Sequence, residues 1–207
     1  MDIKKALSYI ATGFLLILLD FNLNVNALSA NILPDFVGWI LIYLSVDLLG
    51  GYTEGKKYLK WMALVLAILN AILWVGPWFI PAEKLTILVV LSGVISAFVF
   101  FILLGTLIQV GEDISSAHTG TLKILRWFML FIHLFSAAGS LVVKRMGESP
   151  VLISPTMIAI SVVLSLAMLV AAIVALVVLF KLKKEAESLP EAETPSEETR
   201  DPEETGH

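Results

Sequence analysis

The 207-residue sequence contains no cysteine, and this absence excludes disulfide bonds, thiolate metal sites and cysteine nucleophiles. Charged side chains are also scarce: they make up 15% of the residues, whereas about a quarter is usual in soluble domains. Hydrophobic residues make up 58%, and the mean hydropathy is +0.90. Because a chain with so little polar surface is better solvated by lipid than by water, the composition predicts an integral membrane protein.

Sequence patterns of common catalytic sites are missing as well. There is no glycine-rich phosphate loop, no His-Glu-x-x-His pair and no Gly-x-Ser-x-Gly turn. No basic stripe is long enough to follow a nucleic acid backbone. We therefore expect a protein that is not an enzyme, with no catalytic residues, cofactor, bound metal or nucleic-acid partner.

The net charge of −4 combines two unlike parts of the chain. Residues 1–184 carry 13 Lys or Arg against 9 Asp or Glu, whereas residues 185–207 carry one Arg against 9 acids. The second part has almost no large apolar side chain, so it cannot bury enough surface to offset the entropy of ordering. The sequence thus predicts a membrane domain over 1–184 and a disordered acidic cytoplasmic tail over 185–207. The tail is either a solvated spacer or a docking segment for a basic partner.

Six apolar runs predict an all-α bundle of six transmembrane helices arranged as three hairpins, since a helix needs ~20 residues to cross a bilayer. The runs are Ala6–Val25, Pro34–Leu49, Trp61–Ile80, Leu85–Val110, Ile124–Val143 and Val151–Phe180. Cytoplasmic helix ends retain Lys and Arg. With the N-terminus inside, ten cations of the membrane domain fall on the inner side and three on the outer side. Both termini are therefore predicted to be cytoplasmic.

The N-terminus has a second interpretation. Lys4, Lys5 and an apolar run precede the small-residue stretches 25–27 and 28–30, as in a cleavable secretory signal. Cleavage there would leave five helices with the same topology.

A pattern of Lys-x-Leu-x-aromatic recurs where the odd-numbered helices begin, at Lys5, Lys57 and Lys123. One interpretation is a tandem repeat of three hairpins, as in some transporters. The other is that interfacial lysines and aromatic residues give any cytoplasmic helix start this appearance.

Ionisable side chains inside apolar runs are costly in lipid and are therefore candidate functional positions. Asp47 lies ten residues after Val37, about 15 Å along the second helix, and shares a face with Tyr43 one turn earlier. The functional interpretation is a polar substrate or ion path beside Asp47 and Tyr43. The structural interpretation is an aspartate near the cytoplasmic interface that reaches water or Lys56.

Four more polar residues complete the candidate path, namely Asp20, Asp35, Asn70 and His133. Asp20 is buried or interfacial, depending on where the first helix ends. His133 is either a packed, hydrogen-bonded residue or a proton carrier, and Asn70 is either an interhelical hydrogen-bonding group or part of a binding site. Asp35 follows an Asn-rich connection over 22–31. In this connection Asn alternates with apolar residues, which suggests an extended segment that forms either a polar vestibule or a capped loop.

Small residues recur at i, i+4 in the last three predicted helices, a spacing that lets helix backbones approach closely in lipid. They are Gly93 and Ala97, Ser92 and Ser96, Ser136 and Ser140, Ser161 and Ser165, and Ala167, Ala171 and Ala175. We expect these helices to pack on one another or on a second copy of the chain.

The segment ILPDFVGWILI (32–42) resembles a motif of small, uncharacterised multi-pass membrane proteins of Gram-positive bacteria, in which it follows a first helix containing Asp or Asn. The resemblance covers the first hairpin, about a quarter of the chain. It implies a location in the bacterial plasma membrane and no particular activity.

Two functions fit these features. The first is a small carrier or permease-like protein with a polar path beside Asp47 and Asp20. The second is a non-catalytic accessory or regulatory subunit that docks a larger complex through its small-residue faces. The expected partners are the lipid bilayer and, for the second function, another membrane protein or a second copy of the chain.

Overall fold

The computed structural model describes residues 2–18, 22–25, 28–31, 34–52, 56–146 and 155–188. These residues form six α-helices and one short β-hairpin. The helices are α1 (Ile3–Leu18), α2 (Asp35–Leu48), α3 (Lys56–Val75), α4 (Ala82–Asp113), α5 (Thr119–Met146) and α6 (Pro155–Ser188), and the strands are β1 (Asn22–Val25) and β2 (Leu28–Asn31). The helical architecture predicted from the apolar runs is confirmed, with the hairpin as an addition to it.

Prolines and a glycine set several helix ends. Pro34 and Pro81 directly precede α2 and α4, where the missing N–H has no helical partner to lose. A 3-10 turn with Pro77 at its centre follows α3, because proline cannot donate the next helical hydrogen bond. Gly50, with a φ of 62°, follows α2 in the left-handed region that glycine adopts without strain.

The first helix is shorter than its apolar run. α1 ends at Leu18, whereas the run extends to Val25, because the alternating Asn and apolar residues that follow have the period of a strand. β1 and β2 pair as antiparallel strands, with Asn22 opposite Asn31. The Asn-rich connection is thus extended where it is described, as its alternation suggested.

The helices form a closed ring in chain order, and α6 returns to pack against α1. Neighbouring helices run in opposite directions, so the starts of α1, α3 and α5 lie beside the ends of α2, α4 and α6. We call this the basic end of the bundle. It carries the ten cations predicted to be cytoplasmic, namely Lys4, Lys5, Lys56, Lys57, Lys60, Lys123, Arg126, Lys181, Lys183 and Lys184.

Large apolar side chains from all six helices fill the inside of the ring. Buried core residues include Leu7 and Phe14 of α1, Trp39 and Ile42 of α2, Leu66 of α3, Phe100 and Leu103 of α4, Met129 of α5, and Leu179 of α6. Interiors of this kind are close-packed, so the core holds the helices in one arrangement.

Four helices are long and apolar enough to cross a membrane, judged by length and composition over the described residues. Their spans are Lys57–Trp78, Lys84–Asp113, Thr119–Gly139 and Val162–Ser188. α1 and α2 have 16 and 14 residues, about 24 and 21 Å, so they are shorter than a full span. The structure therefore indicates a membrane-embedded protein and identifies four of the six predicted spans.

α6 continues to Ser188, four residues beyond the predicted end of the membrane domain at 184. The remainder of the acidic tail (189–207) lies outside the described residues. So do Asp20 and positions 26 and 27 of the predicted signal cleavage region.

Candidate functional site

Rings from four helices meet at the centre of the bundle. The centroid of the Phe100 ring lies 4.9 Å from Phe14, 5.2 Å from Trp39 and 5.1 Å from His133. All four side chains are buried. Ring centroids at these distances pack favourably and in direct contact, so the rings themselves occupy this part of the bundle.

His133 is the titratable member of this central cluster. Its Nδ1 lies 2.8 Å from the carbonyl oxygen of Met129, one turn earlier in α5. In a neutral ring this bond places the hydrogen on Nδ1 and leaves Nε2 as the acceptor. The geometry is that of a packed, hydrogen-bonded histidine within its own helix.

A close crossing of α1 and α2 brings Phe14 and Trp39 to this centre. A Cβ atom added to Gly13 would lie 2.7 Å from the carbonyl oxygen of Gly38, and one added to Gly38 would lie 2.6 Å from that of Gly13. Only glycine allows the two backbones to approach so closely. Gly38 is the glycine of the ILPDFVGWILI segment, so this residue has a packing reason that the sequence did not reveal.

Asp47, the first candidate for a polar path, lies at the basic end. Its carboxylate accepts a hydrogen bond from Lys60 Nζ on α3, and 52% of its side chain is exposed. The Lys60 Nζ also lies 4.9 Å from the centroid of the Tyr43 ring. These residues form a partly exposed cluster between α2 and α3, in which Lys60 is a lysine partner of Asp47.

Further polar contacts join the helices at the basic end. Lys123 Nζ of α5 lies 2.8 Å from Glu112 Oε1 of α4, and His118 Nε2 lies 3.7 Å from Glu185 Oε1 of α6. Lys183 of α6 lies 3.5 Å from the Ser8 hydroxyl of α1. A concentration of polar contacts at one end is the pattern expected of a bundle whose end meets water.

Tyr52, which follows α2, is hydrogen-bonded to Asp113 at the end of α4. Burial, reinforced by the hydrogen bond to Asp113 and by its negative charge, raises the pKa of Tyr52 above its ordinary value of 10.0. The neutral phenol of Tyr52 thus links the segment that follows α2 to the end of α4.

The other predicted residues lie apart from Asp47. Asn70 donates hydrogen bonds to the Leu66 carbonyl at 2.8 Å and to the Ser92 hydroxyl at 3.2 Å, and so connects α3 to α4. Asp35 occupies the first turn of α2, where a carboxylate is favourable, about 18 Å along the helix from Asp47. Among the described candidates, the structure brings together only Asp47 and Tyr43.

Sequence reasoning gave no individual role to Arg126, which lies between α4 and α5. Its Nε donates a hydrogen bond to the Phe101 carbonyl at 3.0 Å, and its guanidinium carbon lies 3.9 Å from the centroid of the Phe101 ring. Gly105 provides the space, because a Cβ there would lie 3.0 Å from the guanidinium carbon. Among the described residues no carboxylate lies within 4 Å of Arg126. The available signal was an arginine inside the fifth apolar run.

One face of α5, next to Arg126, carries large exposed side chains. They are Ile124, Trp127, Phe131 and Phe135, which are 73%, 54%, 64% and 58% exposed and follow the spacing i, i+3, i+7, i+11. We call this set the α5 face. Trp127 also packs on Phe101, with ring centroids 5.0 Å apart, and thereby joins the face to α4.

A lateral groove of about 440 Å³ separates α5 from α6 and is lined almost entirely by apolar side chains. A second cavity of about 350 Å³ lies at the opposite end of the bundle, between Pro77, Ile80, Leu85, Thr86 and Val89. Neither cavity contains a candidate residue predicted from the sequence.

No protein-family model, curated protein or solved structure matches the chain. Over the described residues, no three His, Cys, Asp or Glu side chains are grouped closely enough to hold a metal ion. The described residues combine a filled centre, a polar basic end, and an α5 face bordered by Arg126.

Proposed function

We propose that this protein is a six-helix membrane protein with cytoplasmic termini that acts as a non-catalytic subunit. It docks a second membrane protein through the α5 face and Arg126. The observation that carries the proposal is the position of Arg126, a cation within a membrane-length segment, held against α4 without a carboxylate partner among the described residues.

The aromatic residues of α3 support the orientation. Tyr58 and Trp61 are exposed near the basic end, and Trp74 and Trp78 are exposed toward the other end. Trp61 and Trp78 are 17 residues apart, about 25 Å along the helix direction, which is close to the thickness of the hydrocarbon layer. Aromatic side chains prefer the two membrane interfaces, and lysines prefer the cytoplasmic one. Both preferences are met with the basic end in the cytoplasm.

The insertion of α1 and α2 rests on their packing. Both belong to the same closed ring as the four membrane-length helices, and the buried rings of Phe14 and Trp39 contact Phe100 of α4. In chain order the β-hairpin lies between the end of α1 and the start of α2, at the helix ends opposite the basic end.

The chemistry of Arg126 and the α5 face indicates the partner. A guanidinium within an apolar segment is stabilised by a carboxylate that approaches it with matching geometry. The exposed rings beside it offer a large apolar contact area of the kind enriched in protein interfaces. The proposed partner is thus a transmembrane helix that bears an Asp or Glu and packs on the α5 face.

A photo-reactive phenylalanine analogue placed at Phe131 tests this proposal in intact membranes. We expect one discrete cross-linked protein product, and no such product from the same analogue at Leu169, which is 50% exposed on α6. Removing the charge by Arg126→Gln should lower the affinity for the partner by about 30-fold or more, since a desolvated charge is left unpaired. Arg126→Lys should retain part of the affinity for the partner. Cross-links to lipid alone, equal at the two positions, would contradict the proposal, and a product of twice the chain mass would identify the partner as a second copy.

A carrier is the second candidate, and the position of His133 at the centre, where rings from four helices meet around Phe100, favours it. In the present arrangement the rings fill the centre, so a carrier would have to separate them during transport. Flux and membrane-potential assays in proteoliposomes, with His133→Gln and Asp47→Asn as variants, test this function. Transport of a solute that both substitutions leave unchanged would count against a polar path through these residues.

A further inference from the structure

We propose that the groove between α5 and α6 is a binding site for one phospholipid with an anionic headgroup. The groove has a volume of about 440 Å³. Leu125 and Phe128 of α5 form one wall, and Leu166, Val170 and Val174 of α6 form the other. This site adjoins the α5 face, with which it shares Ile124, and it lies on the side of α5 that is turned toward α6.

The position of the groove identifies an acyl chain as its occupant. Both walls lie in membrane-length segments, Thr119–Gly139 and Val162–Ser188, so bilayer lipid is the medium at the lateral opening. The volume is within the range of small-ligand sites. One turn of a helix, 10–12 Å wide and 5.4 Å long, fills about 400–600 Å³. The groove would therefore hold about one turn of a partner helix, whereas a narrow acyl chain can follow its length.

An exposed cation at the end of the groove selects the headgroup. Lys181 lies seven residues after Val174, two turns along the same face of α6 and about 10 Å closer to the basic end. It is exposed, and among the described residues no carboxylate lies within 4 Å of it. By contrast, Lys123 and Lys183 each have an acidic partner.

The other polar groups near this end are compatible with a phosphate. Thr121, the one lining residue with a hydroxyl, lies at the start of α5, close to the basic end. Glu185, one turn after Lys181, is directed at His118 at 3.7 Å. The phosphate would thus meet the ammonium of Lys181 and the hydroxyl of Thr121, with its acyl chain in the groove.

Electron spin resonance with spin-labelled lipids tests the site directly. The full-length protein is reconstituted in phosphatidylcholine vesicles that contain a trace of spin-labelled phosphatidylglycerol or, separately, spin-labelled phosphatidylcholine. We expect a motionally restricted lipid fraction that is larger for the anionic probe. Lys181→Gln should reduce this preference by about fivefold, the effect of one lysine near a membrane surface. Lys57→Gln, which removes an exposed charge at the same end on α3, should leave it unchanged.

Two variants that fill the groove test the acyl-chain site. Ala167→Phe and Val170→Trp should each remove the specifically restricted fraction for both probes. Because Val170 is 59% exposed, its substitution should leave the helix bundle intact, which size-exclusion chromatography and circular dichroism can verify. Leu169→Phe, on another face of α6, is the matched control and should keep the fraction. A preference for phosphatidylglycerol that survives Lys181→Gln, or a restricted fraction that survives both groove-filling variants, would overturn the proposal.

Discussion

The first and last helix pairs of the bundle are packed in opposite ways. α1 and α2 cross with their backbones in contact at Gly13 and Gly38 and deliver two aromatic rings to the centre. α5 and α6 are separated by a groove, and most of the described side chains in the outer half of α6 are exposed. The two helices too short to span a bilayer alone are thus closely paired with each other.

This difference has a physical reason. Lipid tails are as apolar as the side chains, so helices in a membrane associate through close packing and polar contacts rather than through the hydrophobic effect. The α1–α2 pair associates through close packing, whereas the α5–α6 pair associates through polar contacts at the basic end, such as the contact between His118 and Glu185. We infer that the first pair stabilises the bundle and that the last pair leaves surfaces for ligands.

The largest effect is expected where the closely packed pair meets α4. Phe100→Ala removes the ring that contacts Phe14, Trp39 and His133 and should lower the free energy of unfolding by about 3–5 kcal/mol. Phe98→Ala, at an exposed position two residues earlier, is the matched control and should have a much smaller effect. Reversible unfolding in mixed detergent micelles measures both. Equal losses would show that the central rings are no more important than the outer surface.

The next largest effect tests the backbone contact between α1 and α2. Gly38→Ala places a methyl group 2.6 Å from a backbone oxygen and should cost about 1–3 kcal/mol through overpacking. At Gly139 in α5 a Cβ would meet no atom within 4 Å, so Gly139→Ala should change stability by less than about 0.5 kcal/mol. If Gly38→Ala were as neutral as Gly139→Ala, the close crossing would be contradicted.

A smaller effect is expected for the hydrogen bond between α3 and α4. In the ring of helices, this pair lies between the closely packed α1–α2 pair and the α5–α6 pair. In a double-mutant cycle, Asn70→Leu and Ser92→Ala should show a coupling free energy of about 0.6 kcal/mol, typical of interhelical hydrogen bonds in membranes. The same cycle with Ser96→Ala, one turn further along α4, should show no coupling to Asn70. Coupling to Ser96 and none to Ser92 would refute the assigned partner.

The smallest effect concerns the pH dependence of the tie between Tyr52 and Asp113 at the basic end. Because the pKa of Tyr52 is raised in the folded protein, its contribution to stability is complete below pH 10 and is lost as the pH rises through the folded-state pKa. Absorbance titration of the four tyrosines should show a component above 10.0 that disappears in Tyr52→Phe. Asp113→Asn should move that component to lower pH. A titration unchanged by Asp113→Asn would exclude the contact.

Several features were predictable because they depend on local patterns. Apolar runs located all six helices, and the second run, which begins at Pro34, marked the start of α2. The extent of α1 was overestimated, since its apolar run includes the alternating residues that form β1. The helical spacing of apolar residues in α1 passes directly into the alternating spacing of β1, and hydrophobic composition alone does not distinguish the two.

The candidate site was less predictable because it depends on which helix faces meet. The sequence marks Asp47 as an acid near apolar residues, but its exposure and its bond to Lys60 follow from the pairing of α2 with α3. Gly13 and Gly38 carry no individual signal until their helices are brought together. Arg126 likewise acquires its role only from Gly105 and Phe101 on the neighbouring helix.

The membrane insertion of the α1–α2 hairpin is the claim on which the account depends most, and single-cysteine labelling tests it directly because the chain has no cysteine of its own. A membrane-impermeant maleimide is applied to intact cells that express Asn24→Cys, within β1, or Lys57→Cys, at the basic end. We expect Asn24→Cys to be labelled at once and Lys57→Cys only after the membrane is permeabilised. Labelling of Asn24→Cys only after permeabilisation, as for Lys57→Cys, would show that the first two helices do not cross the membrane.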